Sequence, residues 1–403
     1  MLKRHKYILL LLIVLLGTGC SFPQKNPGWT ESFGGDSSAA RWEQDEEASE
    51  YSGEETETMP QFVTEADCFY YAYSTLENSE EQQLYQELLD SLLACEAETE
   101  LSTLNEALIE PVFECVMADH PEIFYVDGYN LTTYRMGEEL IKLTFSGTLT
   151  VEPAEIAVRR EKIGQTAEAW LAEAQNLENS YEKLKYLYEQ LISHTDYELG
   201  CCDSQNICSV LLNGVSVCQG YAKTLQYLCQ QLDIPALLVS GTVRGQGHAW
   251  NLVYMDDGQW YFVDPTWGDA SYQQEDGAAC TQNSCPAVNY DYFCVTTQQL
   301  KLTHSPDEKI FLPECTATAC NYYRREGLYL ESAEESAIAG IFERADRLGM
   351  ETVTFQCADE AVYEAVYRLL IEEQKIFDYL DSAKNTVAYS DCAERRTFSF
   401  WLQ

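Results

Sequence analysis

The 403-residue sequence predicts an α+β protein in which helices pack against antiparallel strands. Two kinds of apolar spacing predict it. Leucines recur at helical spacing in Leu84, Leu88 and Leu92, in Leu184, Leu187 and Leu191, and in Leu225, Leu228 and Leu232. Strand-like runs appear at Ile141, Leu143 and Phe145, and from His248 through the turn Asp256-Asp257-Gly258 to Asp264. A hydrophobic content of 46 % is enough to bury the cores of two or three domains.

Taken in order, residues 1–20 read as a targeting segment. Lys3, Arg4 and Lys6 precede an apolar run from Ile8 to Leu16 that is too short to span a bilayer. Leu16-Gly17-Thr18-Gly19-Cys20 resembles the lipobox of bacterial lipoproteins, with Gly17 where an apolar residue is usual. That resemblance implies lipidation at Cys20 and a membrane attachment through the lipid alone. Small residues at Gly17 and Gly19 also suit ordinary signal-peptide cleavage. Residues 21–60 are rich in Ser, Gly and Glu and bury too little apolar surface to fold, so they read as an acidic tether.

Residues 61–176 are expected to form a mostly helical α+β region. Ser79-Glu80-Glu81 opens one helix, a second runs from about Thr103 to Met117, and a long one runs from Pro153 to about Asn176. His120, before Pro121, reads as a structural cap at a helix exit. Residues 319–403 are expected to form a small α+β accessory domain. Its strands are placed at Tyr322 to Leu330, Thr352 to Gln356, Val387 to Tyr389 and Phe398 to Leu402. Its helices are placed at Ala333 to Leu348 and Glu360 to Gln374.

The chemistry is expected in residues 177–318. A helix from Lys183 to His194 leads to Val215-Ser216-Val217-Cys218-Gln219-Gly220-Tyr221-Ala222, where Cys218 opens the next helix. Unpaired N–H groups and the positive end of the helix dipole favour a thiolate there and offer donors to an oxyanion. His248 lies on a strand that turns at Gly258 and returns to Asp264. A three-residue loop with Gly258 left-handed pairs Met255 with Gln259 and hence Trp250 with Asp264. His248 and Asp264 then share a face as diagonal neighbours. Trp250 and Trp267 flank these strands as groove walls or core.

Three segments, Cys218-Gln219-Gly220-Tyr221-Ala222, Gly247-His248-Ala249-Trp250-Asn251 and Val263-Asp264-Pro265-Thr266-Trp267, resemble the signatures of the bacterial transglutaminase-like superfamily, in its order. The preceding helix and the first folded region also resemble what accompanies this domain in exported Firmicutes proteins. The resemblance implies a papain/transglutaminase-like core, a nucleophile helix packed on an antiparallel sheet, and a catalytic triad of Cys218, His248 and Asp264. It also implies acyl transfer or hydrolysis at peptide or protein amides, with no cofactor. A non-catalytic envelope-anchored binding or scaffold protein using the same groove is the alternative.

Charge and cysteines bound the rest. A net charge of -41 repels nucleic acid and anionic membrane and otherwise reads as solubility, so the peptide or protein substrate is the partner that the resemblance implies. Of 16 cysteines, those other than Cys20 and Cys218 are candidates for disulfides in an exported chain. Cys201, Cys202 and Cys208, and Cys280 with Cys285, lack zinc-site spacing or a nearby histidine, so no metal is expected.

Overall fold

The computed structural model describes residues 9–10, 69–269, 287–380 and 386–402. Leu9–Leu10 runs parallel to Ala388–Tyr389 at a sheet edge. Cys20, the acidic tether, and Cys280 with Cys285 lie outside the described residues.

The first region is built on two helices and a hairpin. Helix α1 (Ser79–Ala94) starts where the Asn78 side chain accepts the Glu80 and Glu81 N–H groups, and it buries Leu84, Leu88 and Leu92. Helix α2 (Ile109–Asp119) begins later than the sequence suggests. Asn105 caps a tight 3-10 turn at Glu106–Leu108 first, and Pro111, which has no N–H to satisfy, falls in the opening turn of α2. Strands β1 (Val126–Met136) and β2 (Glu139–Leu149) form an antiparallel hairpin. It buries Leu143 and Phe145, whereas Ile141 near its tip is exposed. Helix α3 (Pro153–Ala174) carries its proline at the first turn.

Helix α4 (Ser180–Ser193), capped by Asn179, leads to α5 (Cys218–Gln230). Strands β3 (Ala236–Val243), β4 (Gln246–Tyr254), β5 (Trp260–Val263) and β6 (His304–Pro306) form a sheet in the order β6-β3-β4-β5, antiparallel throughout. The buried Asn251 amide ties β4 to the helix, donating to the Ala222 carbonyl at 2.9 Å. Gly258 has φ +74°, a conformation that favours glycine, and closes the β4–β5 turn. The Met255 N–H meets the Gln259 carbonyl at 3.0 Å, and Asn251 stands opposite Val263. This is the register that the loop length predicts; the paired stretch ends at Val263, and the Asp264 N–H beyond it donates to the Tyr292 carbonyl at 3.0 Å.

From Tyr71 to Cys320 most buried apolar side chains form one contiguous core, those from Tyr323 to Leu402 form another, and Ala222, Leu238 and Ala249 form a small third cluster. The second holds α6 (Glu335–Arg347), β7 (Thr352–Cys357), α7 (Glu360–Tyr367), β8 (Ala388–Cys392) and β9 (Thr397–Trp401). The strand expected over Tyr322 to Leu330 is a correction. Asn321 caps a short helix at Tyr322–Arg325, Gly327 turns the chain at φ +68°, and only Tyr329–Leu330 pairs with β7.

Candidate active site

Cys218 is the first residue of α5, following an extended Val217. The start of that helix is pressed onto a pair of serines, Ser209 and Ser216, whose hydroxyls are 2.7 Å apart. A Cβ at position 220 would stand 2.0 Å from the Ser216 hydroxyl and 2.5 Å from that of Ser209, so glycine two residues after the cysteine permits the approach. Cys218 keeps partial exposure there, while His248 and Asp264 behind it are buried.

His248 Nε2 lies 2.8 Å from Asp264 Oδ2. Nδ1 is therefore the nitrogen left to face the Cys218 thiol, which acts on this imidazole to raise its pKa. Burial works to lower the His248 pKa, but the Asp264 charge and hydrogen bond, joined by Cys218, raise it to about 10. The imidazolium is thus favoured at neutral pH. Burial likewise works to raise Asp264, yet the imidazoles facing it hold its carboxyl well below the usual range.

A second histidine, which the sequence did not single out, shares that carboxylate. His304 Nε2 lies 3.0 Å from the same Asp264 Oδ2. Asp264 Oδ1 accepts the Thr266 and Trp267 N–H groups at 2.9 and 3.2 Å. His304 Nδ1 meets the Thr303 hydroxyl at 2.8 Å, which in turn meets the Tyr292 hydroxyl at 2.7 Å. An ionised carboxylate only accepts, so the chain has one consistent direction. Tyr292 donates to Thr303, Thr303 to Nδ1, and Nε2–H to Asp264. Burial lowers the His304 pKa against the pull of Asp264, with His248 and Arg395 adding to the lowering. Asp264 therefore sits between one charged and one neutral imidazole. Trp250 is fully buried, with its ring 4.9 Å from that of His304, so it is core; Trp267 stands 5.4 Å from His304 and keeps some exposure.

Among the described residues, His248, Asp264 and His304 are the one group whose ligating atoms fall within 4.8 Å of one another. Both Nε2 atoms approach a single carboxylate oxygen at hydrogen-bond distance, and the second oxygen is taken by backbone N–H groups, so hydrogen bonding accounts for the whole arrangement. Cys201, Cys202 and Cys208 do not form such a group, and the twelve described cysteines are unpaired. His120 caps α2, bonds Glu122 at 2.8 Å and stacks on Tyr70, far along the chain from the site.

A thiol at a helix start, facing an imidazole held by a buried carboxylate, is the arrangement of papain-like cysteine proteins. Residues 168–265, which include all three groups, match the model of the transglutaminase-like superfamily. The chain carries a transglutaminase-like domain. It is 23 % identical over 152 residues to kyphoscoliosis peptidase of Homo sapiens, covering 34 % of this chain and 22 % of that protein. The mouse counterpart is 24 % identical over 154 residues. The chain thus spans about a fifth of the length of the curated relatives it matches. Among solved structures, a transglutaminase is 17 % identical, with a TM-score of 0.26, covering 40 % of this chain and 46 % of its own. The periplasmic domain of TgpA from Pseudomonas aeruginosa is 15 % identical with a TM-score of 0.23, covering 35 % and 58 %. No helix among the described residues is long and apolar enough to cross a membrane.

Proposed function

We propose that the protein is an extracytoplasmic cysteine enzyme acting on peptide or protein amides through Cys218, His248 and Asp264, and that a lipid on Cys20 anchors it. One observation carries the reading. A single imidazole has Asp264 on one nitrogen, leaving the other to the Cys218 thiol that raises its pKa. Two pKa directions support it: a raised His248 and a lowered Asp264 keep a charged imidazolium beside the thiol.

In the reaction, the Cys218 sulfur bonds to the amide carbonyl carbon, and the tetrahedral intermediate collapses as His248 delivers its proton to the leaving amine. The thioester then accepts water or an amine. His248 takes that nucleophile's proton, and the thiol is regenerated as acid or new amide departs. Asp264 keeps the ring oriented with Nδ1 towards the sulfur. The N–H groups at the start of α5 are available to the oxyanion.

Iodoacetamide should alkylate Cys218 faster than any other cysteine of the purified chain. Labelled-amine incorporation and amide hydrolysis on a peptide library should both vanish in Cys218→Ala. Selective alkylation without any turnover would favour a binding module instead. Mass spectrometry of the mature N-terminus tests the anchor, and a Cys20→Ala chain that stays in the membrane fraction would refute it.

A further inference from the structure

The nucleophile helix carries a polar stripe on a face that is otherwise core. Gln219, Lys223, Gln226 and Gln230 recur at helical spacing along α5. The two farther from Cys218 donate their amide N–H groups to backbone carbonyls. The Gln226 amide donates to the Ala118 and Ala236 carbonyls at 2.6 and 3.1 Å, and Gln230 donates to the Asp119 carbonyl at 2.8 Å. The two nearer ones instead line a cavity of about 420 Å³. That volume falls in the range of small-ligand sites, roughly 300–1,000 Å³.

Lys223 is 8 % exposed, and no hydrogen-bond acceptor or carboxylate among the described residues partners its ammonium. Burial alone pulls its pKa down to about 8, with no opposing charge. A buried cation without a counter-charge is costly, and an apolar side chain of similar volume would avoid the cost. Phe113, Met117, Phe124 and Leu238, contributed by α2, the turn before β1, and β3, make much of the wall apolar, and Ser204, Gln205, Asn206 and Ser240 add neutral polar groups. The rim has the opposite sign. Glu110, Asp127 and Asp307 lie there, with Glu114 paired to Lys309 and Asp203 paired to Arg159 at 3.0 Å. An acidic rim rejects a polyanion, whereas one carboxylate on a neutral or basic chain can pass it and reach the lysine. Gln219, the residue after Cys218, lines the same cavity, so its occupant lies along the first turns of the nucleophile helix.

We propose that this cavity is a substrate subsite that takes a single carboxylate on an apolar peptide segment, bound by Lys223 and Gln219. The proposal rests on the acyl-transfer reading for its role, though the binding it predicts does not need turnover. The carboxylate receives charge-assisted hydrogen bonds from the ammonium and a further donor from the amide. The apolar flanks fill the rest of the cavity, and neutral or basic residues face the rim.

The test uses the full chain with Cys218→Ala, which blocks turnover, and fluorescein-labelled hexapeptides at pH 7 read by anisotropy. One pair differs only in Glu against Gln beside apolar residues, and a second only in a free against an amidated C-terminus. The carboxylate member of at least one pair should bind on the order of tenfold tighter, as one charge-assisted bond implies. The pair that shows the preference identifies its source. Lys223→Met should erase the preference while leaving the neutral peptide's affinity and the Tm equal or higher, and Lys223→Arg should retain it. No preference in the parent chain overturns the proposal. So does a Lys223→Met chain that keeps the preference, or one with a lowered Tm and loss of both peptides, which would make Lys223 structural. Preference lost in Lys223→Met but no selective alkylation of Cys218 in the native chain would sustain the subsite and sink the acyl-transfer reading.

Discussion

Two buried aspartates, one in each half of the larger core, meet opposite fates. Asp119, at the end of α2, accepts the Ala72 and Tyr73 N–H groups at 3.0 and 2.8 Å and the Tyr85 hydroxyl at 3.0 Å. Burial outweighs these neutral donors, and its pKa rises to about 6. Asp264 is buried as deeply and also accepts two backbone N–H groups, yet it is held well below the usual range. Each accepts two backbone N–H groups, so the backbone donors do not separate them. The difference is His248, whose charge is paired with Asp264, while His120 acts on Asp119 only weakly. A buried carboxylate marks a candidate site here only when it holds a cation that can also move a proton.

The largest test removes that cation. His248→Ala should lower amide turnover on the order of a hundredfold to ten-thousandfold, the range for lost acid–base catalysis. Iodoacetamide alkylation of Cys218 should slow with it. Asp264→Asn should impair turnover more than alkylation, because the imidazole stays but its tautomer is no longer fixed. If neither substitution changes the alkylation profile of Cys218, the three groups are uncoupled and the contrast between the two aspartates has no catalytic meaning.

The contrast also predicts a pH limb. On the proposed mechanism His248 releases the amine only when protonated, and Asp264 with Cys218 raises it to about 10, so turnover should fall as pH rises through that value. In Asp264→Asn the limb should move down towards the imidazole reference, roughly 6.5. An alkaline limb that stays put in the variant would show that Asp264 does not set it.

A smaller effect is expected from His304, a positioning residue that acts through Asp264. His304→Phe keeps a ring beside Trp250, Trp267 and Tyr292 but deletes the donor, and His304→Gln keeps a donor but loses the ring. Losing one hydrogen bond to a buried carboxylate should slow turnover about tenfold to a hundredfold in the Phe variant. The alkaline limb should shift in that variant as well. Gln should rescue in part. The reverse ranking, Phe active and Gln not, would make His304 a packing residue.

Much of this site was legible because its parts are local. The three-residue turn at Gly258 fixes the register of β4 and β5, and a one-residue change there would turn His248 and Asp264 to opposite faces. Leu225 and Leu228 on α5 carry the 3.6-residue signal that starts a helix at Cys218. His304 was not legible, because it reaches Asp264 from 40 residues away on a three-residue strand with no periodicity to mark it. Its one clue is scarcity, since the chain has only five histidines. Strand β3 escaped for another reason. Its first half, Ala236 to Val239, is buried on both faces and shows no alternation. Nothing in the sequence pattern singles out Lys223, because the cavity it lines forms only where the α2 and β1 regions meet α5, a tertiary fact.

The smallest effect concerns stability at the other aspartate. Asp119 has a folded pKa of about 6, above its ordinary 3.8, so the folded chain binds its proton more tightly than the unfolded chain does. Its contribution is fully present below the unfolded value and is lost as pH rises through about 6. At ~1.4 kcal/mol per pH unit, the loss across that window is on the order of 3 kcal/mol. Asp264, with the opposite shift, contributes above its unfolded value and loses that only as pH falls through its low folded one. His304, lowered by burial, adds a term that grows with pH through the same neutral window, so only a difference between variants isolates Asp119. Urea unfolding at pH 5 and pH 7.5 supplies it. Asp119→Asn cannot ionise and should flatten the decline between the two pH values. Its absolute stability should fall at pH 5, because the new amide turns a donor towards the Ala72, Tyr73 or Tyr85 donors. The slope, not the level, is the readout. A variant as steep as the parent would show that Asp119 is already ionised at pH 5, and that its neutral donors hold a buried carboxylate as well as the imidazolium at Asp264 does.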